Sequence, residues 1–209
     1  ETGLRQGMGI GDAALYGVRW TLEKRAGDIE AFVEEHLPRE LRLARALGLL
    51  VGPVAELYRR TAADLRTEWL SLVAPFEVVE FTGNALVTVG RNYTWDCLTG
   101  HADCVTKFDN TNAKLGVGDS NTAEDPSYTD LQAAANKLRK AMNGGYPSIS
   151  TNVVTFQSSF GAAEANWQWR EVGTFNAASG GTMLNRKVQD LGTKSAGATW
   201  TLTETITLT

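Results

Sequence analysis

The closing run of the chain, ATWTLTETITLT, alternates strictly. Trp200, Leu202, Ile206 and Leu208 share one side, and Thr199, Thr201, Thr203, Thr205 and Thr207 share the other. A period of two predicts a strand with a buried apolar face and a threonine face that is solvated or paired. Other short apolar runs predict further strands: FEVVEF (76–81), ALVTVG (85–90), AKLGVG (113–118), NVVTFQSSFG (152–161), NWQWREVGTF (166–175) and TMLNRKV (182–188). Thr82-Gly83-Asn84 reads as a tight turn joining the first two. Arg91–Leu98 reads as a short helix that buries Tyr93, Trp95 and Leu98. A second helix is expected over 128–142, capped by Asp125 or Ser127, with Leu131, Ala134, Ala135 and Leu138 inward.

The pattern before residue 75 has a different period. In DIEAFVEEHLPRELRLARALGLL (28–50), Ile29, Phe32, Val33 and Leu37 form one stripe, and Leu41, Ala44 and Leu47 continue it after Pro38, which restarts the helix. Gly48 and Gly52 mark a break. Pro53 opens a second helix in which Val54, Leu57, Tyr58, Thr61, Leu65, Trp69 and Leu72 recur at three and four. This stripe suits a helical hairpin or an arm that docks on a partner. RQGMGIGDAALYG (5–17) reads as an extended arm. Its GMGIGD is no dinucleotide fingerprint, because no strand leads into it.

These periods predict an α+β chain: N-terminal amphipathic helices (1–74, a docking region), then a mainly antiparallel β-sandwich-like domain (75–209) with one or two short helical insertions. No βαβ alternation points to a parallel sheet. The length of 209 residues suffices for a real core without staples. The net charge of −4 argues against a general nucleic-acid binder. No apolar run reaches the ~18–20 residues of a membrane span. Glu1-Thr2-Gly3 does not open like a signal peptide, and the absent Met fits a processed end. Cys97 and Cys104 read as ordinary free thiols, with a disulfide left open. With His101 they make a poor zinc set, because the fourth ligand would have to be Asp103, Asp109 or a distant group.

LGVGDSNTAEDPSYTDLQ (115–132) and the carboxylates elsewhere in the β region invite four candidate chemistries. Gly118-Asp119-Ser120 resembles the nucleophile block of Gly-Asp-Ser-Leu serine hydrolases, but Asn121 replaces Leu. His36 and His101 both precede Ser120, and neither sits in an Asp-x-x-His. Asp109, Asn110 and Asn112 are spaced suggestively for calcium, and Asp119, Glu124 and Asp125 could fold back to join them. Yet Lys114 and Leu115 stand where such a loop wants glycine and oxygens, so Asx turns are the simpler reading. GVGDSNT lacks the Gly-Lys-Ser/Thr of a phosphate loop. Glu164, Glu171 and Glu204 could supply the paired carboxylates of a glycosidase, with Trp167, Trp169, Phe175 and Trp200 lining a sugar face. Core packing explains those aromatics more simply.

The β region also resembles structural proteins of tailed-bacteriophage virions. The resemblance runs through GNALVTVGRNYTWDCLTG (83–100), KFDNTNAKLGVGDSNTAEDPSYTDLQ (107–132), FQSSFGAAEANWQWREVGTFNAASGGTMLNRKV (156–188) and the final alternating strand. GVGDSNTAEDPSYTDL and EVGTFNAASGGTMLNR are its most specific pieces. It implies a non-enzymatic component of a tail, neck or fibre, or else a head-decoration protein, needing no cofactor or catalytic residue. It further implies contacts with other virion proteins and a second copy of the chain, and a glycan-binding role at a fibre tip as the alternative. The N-terminal helices are not covered by it.

Overall fold

The computed structural model describes residues 16–208, so all but the end of the expected 5–17 arm lies outside the described residues. The elements are β1 (Tyr16–Ala26), α1 (Ile29–His36), α2 (Arg39–Ala46), α3 (Gly52–Leu72), β2 (Glu77–Thr82), β3 (Ala85–Leu86) and α4 (Thr88–Thr99). There follow β4 (Lys114–Gly118), β5 (Lys137–Ala141), β6 (Ser148–Ser150), β7 (Val153–Phe160), β8 (Gln168–Phe175), β9 (Met183–Thr193) and β10 (Ala198–Leu208).

Two antiparallel sheets face each other, ordered β2-β1-β10-β7-β6 and β3-β9-β8-β4-β5. The α+β, sandwich-like architecture expected from the sequence is present. Period-two patterning builds its core. Leu115 and Val117 of β4, Trp169 and Val172 of β8, Phe156 and Phe160 of β7, and Trp200 and Leu202 of β10 all point between the sheets. Trp169 anchors this layer, meeting Phe160 and Trp200 edge-on at centroid distances of 4.8 and 4.9 Å. The threonine face of β10 is paired, as expected: Thr201 Oγ1 meets Ser159 Oγ at 3.0 Å, and Thr199 Oγ1 takes the Ile29 N–H and donates to Gly27 O.

The expected division at 74/75 does not hold. Strand β1 lies inside the first sheet, in full register with β10 from Tyr16↔Leu208 to Ala26↔Ala198, and it also pairs with β2. Val18, Trp20 and Leu22 alternate into the core. The alternation is broken at Lys24, which stays buried by laying its ammonium over the Trp200 ring and bonding Glu77 at 2.9 Å. The helices are therefore an insertion between two paired strands. Pro38 and Pro53 act as expected, at the starts of α2 and α3. Val33, Leu37, Leu41 and Ala62 form a small core with Tyr58 and Leu65, and Arg66 clamps Glu30 at 2.7 Å.

Five further expectations are corrected. Thr82-Gly83-Asn84 is a crossing, because β2 and β3 belong to different sheets. ALVTVG contributes only Ala85–Leu86 to a strand, since the chain turns helical at Thr88. In α4, Trp95 and Leu98 face solvent. Tyr93 alone among the three turns inward, and its hydroxyl holds the Thr106 main chain. Cys97 and Cys104 form a disulfide across the turn that follows α4, which excludes them as thiolate metal ligands. The helix expected over 128–142 is an extended segment ending in β5. Its burial has period two, with Leu131 and Ala133 inward, and a distant carboxylate claims its amides.

Candidate functional site

That carboxylate is Glu171. It lies on the outer face of the second sheet, completely buried, with Nε of Arg186 at 2.6 Å from Oε2. Residues 119–136 cross over the pair as a strap. The Gln132 and Ala133 N–H groups donate to Glu171 at 3.0 and 2.7 Å. Arg186 returns the grip by donating to the Thr122 and Ala123 carbonyls at 2.9 and 3.3 Å. Glu124 adds a further tie, accepting from Val188 N–H at 2.9 Å and pairing with Lys187 at 3.2 Å. Leu131 and Tyr128 pack with Val87, Phe175 and Met183 into a second small core beneath the strap.

The glycines of GVGD make room for this layer. Leu115 and Val117 fill the inner core, which leaves Gly116 and Gly118 on the outer face. A Cβ on Gly116 would stand 2.7 Å from the Phe175 ring, and one on Gly118 would collide with Glu171 Oε1. Gly118→Ala is therefore expected to lose about 1–3 kcal/mol in chemical denaturation, because the carboxylate it strikes is pinned and cannot yield. A neutral result would show the strap to be loose.

Most of the residues singled out for chemistry are engaged with neighbours within the fold; Trp167 packs at the edge of the core with its indole N–H unpaired among the described residues. Ser120 Oγ donates to Thr122 Oγ1 at 2.9 Å and accepts from Thr122 N–H, which is a local turn. His36 stacks on Phe32, and His101 stands between Asp96 and Asp103. Asp109 accepts from the Thr111 and Asn112 N–H groups, Asn110 donates to Asn143 O, Asp119 accepts from Asn136, and Asp125 caps Ser127. Hydrogen bonds from Ser127 hold the Asp125 carboxyl below its usual range. Among the described residues, no three His, Cys, Asp or Glu side chains gather as a metal set. Of the three glutamates, Glu164 pairs with Lys140 at 2.6 Å, while Glu171 and Glu204 are both buried. Trp169, Phe175 and Trp200 are buried too, so they offer no sugar face.

Glu204 occupies the inner core, opposite the face that holds Glu171. The Thr174 hydroxyl and the Asn185 amide donate to it. Burial dominates these bonds and pushes its carboxyl up to about 7. Sequence reading missed Arg186 and Asn185, although adjacent Asn and Arg in the middle of TMLNRKV are the signal: one must face each side of the sheet.

Among the described residues apolar side chains stay exposed in several places, Trp95, Leu98 and Val105 among them, and two further surfaces bear on function. Leu43, Leu47, Leu49, Val51, Val54 and Leu57 stand 40–69% exposed around the α2–α3 connection. Leu47, Val54, Leu57 and Leu72 belonged to the expected inward stripes but stay exposed; of those stripes the contact between α1, α2 and α3 uses Leu41, Tyr58 and Leu65, joined by Ala62. The other surface is an open cavity of about 370 Å³ at one end of the sandwich, where Val18 and Ile206 face Leu86 and Leu184. The cavity is also lined by Thr94, Thr151 and the amides of Asn84, Asn152 and Asn185, and no charged side chain is among its lining residues. No helix among the described residues is long and apolar enough to cross a membrane. No known protein family matches the chain, and no curated protein is similar to it.

Proposed function

We propose that this chain is a non-enzymatic structural protein of a tailed-bacteriophage virion, mediating assembly or attachment of a tail, neck or fibre component. The observation that carries the reading is the exposed apolar surface around the α2–α3 connection. Six large apolar side chains left in water are costly to a free monomer, and a partner surface would offset that cost. The resemblance of the β region to virion proteins names the setting. Glu171 and Glu124, two of the carboxylates that first suggested chemistry, hold the strap in place, which suits a rigid part. Repetition in a particle would turn weak single contacts into firm attachment.

Mass spectrometry of purified particles tests this. The chain is expected in stoichiometric amounts that survive washing in salt. Its absence from particles would overturn the proposal. Ser120→Ala is expected to leave stability within about 0.5 kcal/mol, because only a surface turn loses a bond. Screens with ester and glycan substrates should show no activity for that variant to lose. A hydrolase activity abolished by Ser120→Ala would restore the enzyme reading.

A further inference from the structure

Lys194, the residue after β9, is only 1% exposed. Among the described residues its side chain bonds only to neutral oxygens: Nζ donates to Gly161 O at 2.6 Å and to Asn166 Oδ1 at 2.9 Å. A buried lysine is ordinarily paired with a carboxylate, because stripping water from an ammonium is costly. Here that cost falls on the proton. Burial pulls the amine down to about 8, although the Glu164 and Asp28 charges oppose the shift. At pH 7 roughly a tenth of the molecules then hold a neutral amine, against fewer than about one in 1,000 for a free lysine. A desolvated, neutral lysine is a nucleophile.

Asn166 sets a carboxamide against it. Asn166 Nδ2 donates to Ala162 O at 2.8 Å, which turns Oδ1 toward the lysine. The main chain fixes both partners. The Lys194 N–H donates to Trp167 O at 3.0 Å, and Gln168 of β8 pairs with Thr193 of β9. Ala165, immediately before Asn166, holds a φ of 50°. That conformation strains a residue with a Cβ and persists only where the surroundings impose it. The amine therefore rests on the oxygen of a carbonyl whose carbon is one bond away. Asn166 is itself exposed, so a small leaving group has a way out.

We propose that Lys194 and Asn166 join in an intramolecular isopeptide bond. Neutral Nζ attacks Asn166 Cγ, the Nζ–Cγ bond forms and the Cγ–Nδ2 bond breaks. One Nζ proton passes through solvent to Nδ2, which departs as ammonia. One amide replaces another, so the step consumes no oxidant, reductant or co-reactant. Held proximity replaces the encounter that makes the same exchange negligible between free side chains. The product staples the approach to β8 to the end of β9, which holds whatever larger structure the chain serves.

Intact-mass spectrometry of the full chain tests it, after the folded protein has stood at pH 9, where the amine is mostly neutral. The wild type is expected to weigh one ammonia less than its sequence, once the Cys97–Cys104 disulfide is counted. A protease digest should contain a branched peptide that links Lys194 to Asn166. Asn166→Ala, at an exposed site, should fold and keep its full mass, and so should Lys194→Met if the buried change is tolerated. The digest matters because an Asn143-Gly144 succinimide would also shed ammonia. The bond is refuted by a folded wild type that keeps its full mass at pH 9. It is equally refuted if the loss maps only to another site such as Asn143, or if the folded Asn166→Ala variant still yields a branched peptide at Lys194. These outcomes leave the particle-association result untouched, so the two proposals fail separately.

Discussion

Arg186→Met is expected to destabilise the protein by about 3–5 kcal/mol in chemical denaturation, the largest effect of any single polar change here. The arginine is 1% exposed, and its partner Glu171 is completely buried. Removing the guanidinium leaves a carboxylate in the interior with only the Gln132 and Ala133 N–H groups to stabilise it. The Thr122 and Ala123 carbonyls lose their donors in the same step. The loss should be local in hydrogen exchange, with the Gln132 and Ala133 amides exchanging far faster than those of β10. Pairing Arg186→Met with Glu171→Gln should recover part of the loss, because the stranded charge disappears. A loss below about 1 kcal/mol in the single variant would mean that the strap is not held by this pair.

The second large effect is on pH. The Glu204 carboxyl is pushed up to about 7 by burial, from an ordinary 4.5. Its protonated form is the one the fold prefers. The stability it supports is therefore fully present below about 4.5 and is lost as pH rises through about 7. The difference corresponds to about 3 kcal/mol between those limits. Lys194, pushed down to about 8 by burial, has a constant effect below that pH and does not disturb the window. Glu204→Gln keeps an uncharged acceptor for Thr174 and Asn185, so its stability should stay flat from pH 5 to 7.5 where the wild type falls. Parallel slopes for the two proteins would show that Glu204 does not titrate in this window.

Much of the sandwich is legible in the sequence because its strands carry their burial in a period of two. The runs that became β4, β7, β8 and β10 need only their own alternation to be seen. Strand β1 escapes this reading: it alternates through Val18, Trp20 and Leu22, but Lys24 breaks its pattern and three helices separate it in sequence from the strands it joins. Lys24 is tolerated on the buried face only because Trp200 and Glu77, from two other strands, meet it there. The strap escapes for a related reason. Its local sequence has helical spacing, but Glu171 takes the amides that a helix would keep, and no local rule announces a partner 38 or 39 residues away. The Gly-Asp-Ser turn was legible as structural, since its missing base could be counted. The exposed turn was legible as a break at Gly48, Gly52 and Pro53. Its exposure was not, because the same leucines could have faced the α1–α3 core. The sandwich-end cavity is assembled from the ends of strands far apart in sequence, so it exists only in three dimensions.

An apolar turn at 46–55 that serves as an assembly surface must be covered in the particle. Hydrogen exchange at that turn, compared between the isolated chain and intact purified particles, tests it most directly. Fast exchange is expected at Leu50 and Gly52, whose amides have no main-chain partner, in the isolated chain at a concentration low enough to keep it monomeric, and strong protection in particles. Equal exchange in the two states would contradict it.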